Sequence, residues 1–258
     1  MRIWTSFKFT PGSEQPILFS VVAYFPNDYC RFFCSSDLSP EAPTSEEQTH
    51  VSNIFRCALH IYKDAPNISM MDENKPVGLS FGSVHDKWSV CFQYFPNRLK
   101  HSCKKFLHSP PIPPTSRGQT ITLPEGLIAS QILESDFETI RQTASIHYSD
   151  EYLLSLCHAS VCVRVGNDGR PIAWGLKHST NAIGALYVDP EFRKMGLARF
   201  VLNELVTTVQ LNAILDALRP RWEFADVLEG NQQGLQFFGS LEGWEEEWRC
   251  HWLDFYSL

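Results

Sequence analysis

Apolar positions recur along the 258-residue chain with two periods, and the order in which those periods alternate divides it into two stretches. In the first, PILFSVVAYF and YCRFFCSS are dense in β-branched and aromatic residues and predict strands. SEEQTHVSNIFRCALHIYKD changes to a period of 3.6, with Val51, Ile54, Phe55 and Leu59 on one stripe. It predicts a helix with Ser45 as its N-cap. PVGLSFGSV predicts another strand and HDKWSVCFQYF another helix. This stretch mixes α and β and carries no catalytic pattern.

HSPPIPPTSRGQT interrupts the pattern at residues 108–120. Its prolines cannot donate backbone hydrogen bonds and favour extended geometry, so it predicts a semi-rigid linker. The expected division is an α/β domain over 1–107, a linker over 108–122 and a second domain over 123–258. No sequence repeat or long low-complexity tract is visible.

Past the linker, LIASQIL (127–133) predicts a strand, followed by a helix capped by Ser135 or Asp136 and running to Ala144. SDEYLLSLCHA predicts a second helix from Ser149 or Asp150. SVCVRV, PIAWGLKH and AIGALYV predict three strands, the first two joined by a hairpin signal, Gly166-Asn167-Asp168-Gly169. A helix from about Gly196 to Leu211 places Leu197, Val201, Leu205 and Val209 on one face. WEFADVLEG predicts a strand, NQQGLQFFGSL a short helix and WRCHWLDFY a last strand. The order is β-α-α-β-β-β-α-β-α-β.

Composition narrows the classes. The chain is 43% hydrophobic and 20% charged, an ordinary globular balance. It has no apolar run of membrane-spanning length, so no membrane partner is expected. Its start, MRIWTSFKFTPGSEQ, resembles neither a secretory signal nor a transit peptide, which gives a cytoplasmic expectation with the nucleus also open. The eight cysteines include no C-x-x-C pair and read as reduced thiols. Cys30 and Cys34 have no further partner at metal-ligand spacing, so no metal is expected.

The net charge of −7 is uneven. Residues 1–107 hold eleven Lys/Arg against ten Asp/Glu, whereas residues 123–258 hold ten against nineteen. An acidic domain is poorly suited to nucleic acid, because phosphates repel it. It suits a cationic small substrate, although solubility explains acidity equally well.

Against that background one basic stretch stands out, LYVDPEFRKMGLARFVLNEL from Leu186. A strand breaks at Asp189-Pro190 and passes through Arg193, Lys194, Met195, Gly196, Leu197 and Ala198 into a helix. A helix N-terminus presents unpaired N–H groups and partial positive charge. Behind a strand and opened by glycine, it makes a cradle for phosphate oxygens. The plain alternative is an ordinary strand–loop–helix connection with a basic pair on its surface.

The string R-K-M-G-L-A resembles the Q/R-x-x-G-x-G/A signature of the GCN5-related N-acetyltransferase (GNAT) superfamily, and the expected element order is that superfamily's as well. ADVLEGNQQGLQFFGSLEGW resembles its strand, Asn, helix and closing glycine-aromatic segment. PIAW, DPEFR and the extra N-terminal half resemble the two-domain, glycine-N-acyltransferase-like (FR47-like) branch. The resemblance covers 123–258 and is only architectural over 1–107, where a degenerate GNAT half is one reading.

The resemblance implies a mixed α/β fold with a splayed central sheet and acetyl-coenzyme A as co-substrate. Amides from Arg193 through Lys194, Met195, Gly196, Leu197 and Ala198 to Arg199 would hold its diphosphate. The main chain at Leu186, Tyr187 and Val188 would pair with the pantetheine arm. Asn231 matches a cofactor-contacting Asn, and is equally well placed to cap the following helix. Asp226 would be the general base, acting through a water, unless it is a solvated acid on an edge beside Glu223 and Glu229.

Phe238 stands against the cofactor where many members carry a proton-donating Tyr. Phenylalanine cannot donate. Either Tyr187 or His178 substitutes, or the thiolate takes its proton from the incoming amine. His147, Tyr148, Glu151 and Tyr152 line the expected acceptor pocket, though capping and packing explain them too. Trp174 fits the core better than a substrate platform, and Glu245, Glu246 and Glu247 form either a solvated face or an attractor for a cation. The expected activity is N-acyl transfer to a primary amine of a small molecule or amino acid. The alternative is a catalytically silent acyl-coenzyme A sensor or scaffold. Modification of protein lysines would need a peptide groove that no segment supplies.

Overall fold

The computed structural model describes residues 2–8, 16–24, 29–61, 77–108, 122–146, 148–166, 169–212 and 223–256. Short apolar runs at the start become β1 (Arg2–Thr5), β2 (Ser20–Tyr24) and β3 (Arg31–Cys34), an antiparallel meander. Helix α1 (Ser45–Ile61) buries Val51, Phe55, Ala58 and Leu59; of the expected stripe Ile54 is only half-buried, and Ala58 is buried in addition. Its cap lies one residue earlier than expected. Glu47 N–H donates to Thr44 Oγ1 at 3.2 Å, and Thr44 N–H donates to Glu47 Oε2 at 2.7 Å. That reciprocal box satisfies donors that Ser45 would leave open.

Strand β4 (Val77–His85), the short helix α2 (Ser89–Phe92) and β5 (Asn97–His108) follow. Neither β1 nor β5 was expected. RIWT is short, and NRLKHSCKKFLH intersperses Arg and Lys so densely that its alternation is hidden. Phe55 centres the core here, with ring contacts of 4.9–5.4 Å to Phe32, Phe81, Phe92 and Phe255.

The second stretch has the order expected of it. It comprises β6 (Leu127–Ser130), α3 (Phe137–Thr143), α4 (Asp150–Leu156), β7 (Ser160–Val165), β8 (Pro171–Lys177) and β9 (Ile183–Val188). It continues through α5 (Leu197–Asn212), β10 (Glu223–Leu228), α6 (Gln232–Gly239) and β11 (Trp244–Tyr256). Strands β6-β7-β8-β9 form one antiparallel sheet; β10-β5-β11-β4 form another. Residues 109–121 of the expected linker, Asn167 and Asp168 of the hairpin, His147 and the Val209 side chain lie outside the described residues, while His108 ends β5.

Two units result. The first is Met1–Lys105 with Val227–Phe237 and Glu246–Leu258; the second is Phe106–Asp226 with Phe238–Glu245. In the second, Ser149 caps α4 by accepting from Tyr152 N–H at 3.2 Å. Asp136 instead accepts from Leu133 N–H at 2.7 Å and takes both terminal nitrogens of buried Arg164, which fastens β7 to the entry of α3. A Cβ on Gly175 would stand 2.8 Å from Leu205 and 3.0 Å from Val201, so α5 packs directly on the backbone of β8. No helix among the described residues is long and apolar enough to cross a membrane.

A structural repeat emerges that the sequence conceals. A three-strand meander, a helix, a strand, a helix and a strand occur as β1-β2-β3-α1-β4-α2-β5 and again as β7-β8-β9-α5-β10-α6-β11. In each copy the third strand meets the fourth through an isolated parallel bridge, Cys30 with Phe81 and Ala182 with Phe224.

Candidate active site

The Ala182–Phe224 bridge is where the second unit's site begins. Phe224 N–H donates to the Asn181 carbonyl at 3.4 Å. Beyond it β9 stays with β8 while β10 belongs to the other sheet, so two parallel strands part after one contact. A bulge in β9 adds to the divergence. Trp174 faces Tyr187 and Leu176 faces Gly184, which leaves one extra residue on β9, and Ala185 takes the left-handed φ of 50°. A bulge leaves its extra residue out of the ladder and bends the strand.

At the end of β9, Asp189 accepts from Glu191 N–H at 3.0 Å and initiates a single 3₁₀ turn. Arg170 braces that turn through Asp189 at 2.7 Å and Glu191 at 3.2 Å. Arg193 Nε donates to the Val188 carbonyl at 3.2 Å. Lys194 and Gly196 have φ of 66° and 80°. The first helical bond of α5 runs from Phe200 N–H to the Gly196 carbonyl at 3.0 Å. The amides just before Phe200 therefore have no acceptor within the helix. A Cβ placed on Gly196 meets no heavy atom within 4 Å, so the turn is open at that residue. Arg193, Lys194, Met195 and Arg199 are exposed around it, while Leu197 is buried and anchors the first turn.

Leu186, Tyr187 and Val188 lie half-buried on β9. Tyr187 stacks on Trp174 at 4.5 Å, and Trp174 is a core residue. Asn231 belongs to the first unit, where its Oδ1 accepts from Gly234 N–H at 2.9 Å as the cap of α6. Phe238 is 5% exposed, stacked on Phe106 at 5.6 Å and edge-on to Trp244 at 4.9 Å. Glu245, Glu246 and Glu247 are exposed on β11, and Glu246 pairs with Lys104 at 2.7 Å.

Asp226 is half-buried on β10. Its face follows from the pleat. Glu223 is bonded to Lys177, and Lys177 lies on the side of β8 opposite Trp174 and Leu176, which pack with α3 and α4. Side chains alternate along a strand, so Phe224 and Asp226 lie opposite Glu223, on the α3–α4 side. Glu223 itself is no exposed edge acid: it is 4% exposed, 3.1 Å from Lys177 Nζ and 3.2 Å from His108 Nδ1. Burial alone would raise its carboxyl, but the His108 hydrogen bond and the Lys177 ammonium outweigh it and hold the pKa below the usual value. Glu229 is likewise engaged, by Arg249 at 2.6 Å.

The α3–α4 side also gathers residues that strand position alone kept apart. Tyr152 Oη lies 2.7 Å from His178 Nδ1, with the two rings stacked at 5.9 Å. Tyr148 lies parallel to Tyr152 at 5.9 Å and 6.3 Å from the His178 ring. The sequence marks Tyr148 and Tyr152 as pocket residues and His178 as a strand end, but no local signal says that they meet.

Comparison with known proteins agrees with this geometry. The family described as FR47-like protein matches residues 160–253, the meander, both parted strands and the open turn. A Drosophila protein solved by structural genomics superposes with a TM-score of 0.62 at 12% identity, over 92% of this chain and 74% of its own. Residues 160–253 match the FR47-like family, and the chain has the GNAT fold. A GCN5-related N-acetyltransferase from Sphaerobacter thermophilus has the same fold at a TM-score of 0.50 and 11% identity, covering 92% of this chain and 76% of that one. No curated protein matches the sequence. The GNAT fold thus accounts for the bulge and the parting of β9 from β10, features that pairing between distant strands creates.

Proposed function

We propose that this GNAT-fold protein is an acyl-coenzyme A-dependent N-acyltransferase, with acetyl-coenzyme A as donor and a primary amine of a small molecule or amino acid as acceptor. The parting of β9 from β10, directly before an open, glycine-bearing helix start, carries the reading. The residues present fit the co-substrate. The space in front of Gly196 admits phosphate oxygens, the amides from Arg193 to Arg199 supply donors, and Arg193, Lys194 and Arg199 supply positive charge in an acidic stretch. Bent away from β10, the main chain of Leu186–Val188 suits strand-like pairing with an extended amide-bearing arm.

The chemistry asks little beyond alignment. Asp226, through a water, takes one proton from the acceptor ammonium. The amine then attacks the thioester carbonyl, a C–N bond forms, and the C–S bond breaks with its electrons going to sulfur. Holding amine and thioester in line supplies much of the acceleration. A second reading, a silent acyl-coenzyme A-binding module, is favoured by one observation: Phe238 is packed among rings and offers no proton. Incubation with acetyl-coenzyme A and an amine panel separates the two readings. Acceptor-dependent release of free thiol supports the transferase; tight binding without release supports the silent module; absence of binding refutes both.

A further inference from the structure

Resting on the acyltransferase reading, we infer that His178, oriented by Tyr152, carries a proton from the acceptor nitrogen to the departing coenzyme A sulfur. Three features of the second unit converge on it. First, the side chain that could have served sulfur from α6, Phe238, has no proton and is enclosed by Phe106 and Trp244. Second, His178 is oriented: Tyr152 Oη stands 2.7 Å from Nδ1, and the Tyr148 and Tyr152 rings pack beside the imidazole. When Nδ1–H donates to that oxygen, Nε2 presents its lone pair, which is the form a proton acceptor needs.

Third, the ring edge packs over β9 at Gly184, next to the bulge. A Cβ on Gly184 would fall 2.3 Å from Nε2. The strand is thus bare where the imidazole edge crosses it, one residue before the bulge at Ala185. Asp226 lies on this same side by the pleat of β10, so a carboxylate and an imidazole face one reaction space from different strands. Two titratable groups in unlike surroundings divide acid and base work between them.

The protons balance. An acceptor ammonium loses two protons in becoming an amide. Asp226 passes the first to solvent before attack. After attack, Nε2 takes the second from the nitrogen of the tetrahedral adduct. The resulting imidazolium gives it to sulfur as the C–S bond breaks, and the neutral ring is restored. Tyr152 touches no reacting atom in this scheme; it is a positioning residue that holds the ring at Nδ1 and leaves Nε2 to carry the proton.

The test reads the imidazole directly and needs no acceptor. Nitrogen-15 spectra of histidine in the intact chain are recorded with coenzyme A and with desulfo-coenzyme A, and calorimetry records binding. The expected result is a shift of the His178 Nε2 resonance with coenzyme A that desulfo-coenzyme A does not reproduce. In Tyr152→Phe the response weakens as the ring loses the hydroxyl that orients it. With an acceptor from the amine panel, His178→Gln lowers kcat about 100-fold while KM for the acyl donor holds, and Tyr152→Phe lowers kcat by a smaller factor with KM likewise unchanged. The proposal is overturned if His178 responds equally to both ligands, or to neither while both bind. If neither ligand binds, the acyltransferase reading itself falls and takes this inference with it.

Discussion

The starts of α1 and α5 arise from the same plan, a meander strand that turns into a helix before a parallel-bridged partner strand, and they end up with opposite chemistry. After β9 the chain places Arg193, Lys194 and Gly196 and leaves the turn open at Gly196. After β3 it places Asp37, whose Oδ2 accepts from Cys34 N–H at 2.9 Å and whose Oδ1 accepts from Trp88 Nε1 at 2.6 Å. It then closes the helix start with the Thr44–Glu47 box and an acidic first turn, Glu46 and Glu47. The first helix start thus satisfies itself with the chain's own oxygens, and its acids would repel an added phosphate. A repeated backbone can keep its strand order while a handful of side chains decide whether a helix terminus accepts a ligand.

The comparison breaks most sharply if the second turn is made to resemble the first. Gly196→Asp sets a carboxylate where the diphosphate would lie. Two charges about 4 Å apart at an effective dielectric constant near 20 oppose each other by ~4 kcal/mol, roughly a thousandfold in Kd. Calorimetric titration with coenzyme A should record that loss, while circular dichroism shows the fold retained. Unchanged affinity would mean that this turn does not hold the ligand.

The next effect belongs to the first unit. Burial pushes the Asp37 carboxyl up to about 6, against the lowering effect of the Cys34 amide, Trp88 and Lys87. A folded-state value above the unfolded one means stability that is full below about pH 4 and lost as pH rises through 6. The loss is on the order of 3 kcal/mol for a shift of this size. Asp37→Asn should flatten that part of the stability curve in chemical denaturation. His85, pushed down to about 4 chiefly by burial, works in the opposite sense over the same range and cancels in the difference between variant and parent. A difference curve without slope between pH 4 and 6 would remove Asp37 from the account.

The smallest effect tests whether the first helix start could be opened. Thr44→Ala removes half of the capping box and should cost about 1 kcal/mol of stability. It should confer no second coenzyme A site, since Asp37, Glu46 and Glu47 remain. A titration stoichiometry rising from one to two would show that the cap alone had kept the site closed.

Much of this was legible from local pattern. Period and punctuation placed every element from Leu127 onward in its correct order, and R-K-M-G-L-A marked the turn at Gly196. Strand β5 escaped because its lysines and arginine disguise its alternation, yet Lys100 meets Asp254 at 3.2 Å and Lys105 is buried. Glu223 read as an exposed acid because nothing near it in sequence announces Lys177 or His108. Asp226 stood out from its strand position, but its side of the sheet emerged only from tracing the pleat through that buried ion pair.

By itself the sequence determined the element order from Leu127 onward, the basic turn in an acidic stretch and the missing hydroxyl at Phe238, since each depends on residue type and short-range spacing. Tertiary structure alone decided that β9 and β10 touch once and part, that His178 meets Tyr152 across 26 positions, and that the two halves repeat. Those features come from closing long loops and from packing side chains brought in from separate elements, and no local period encodes them.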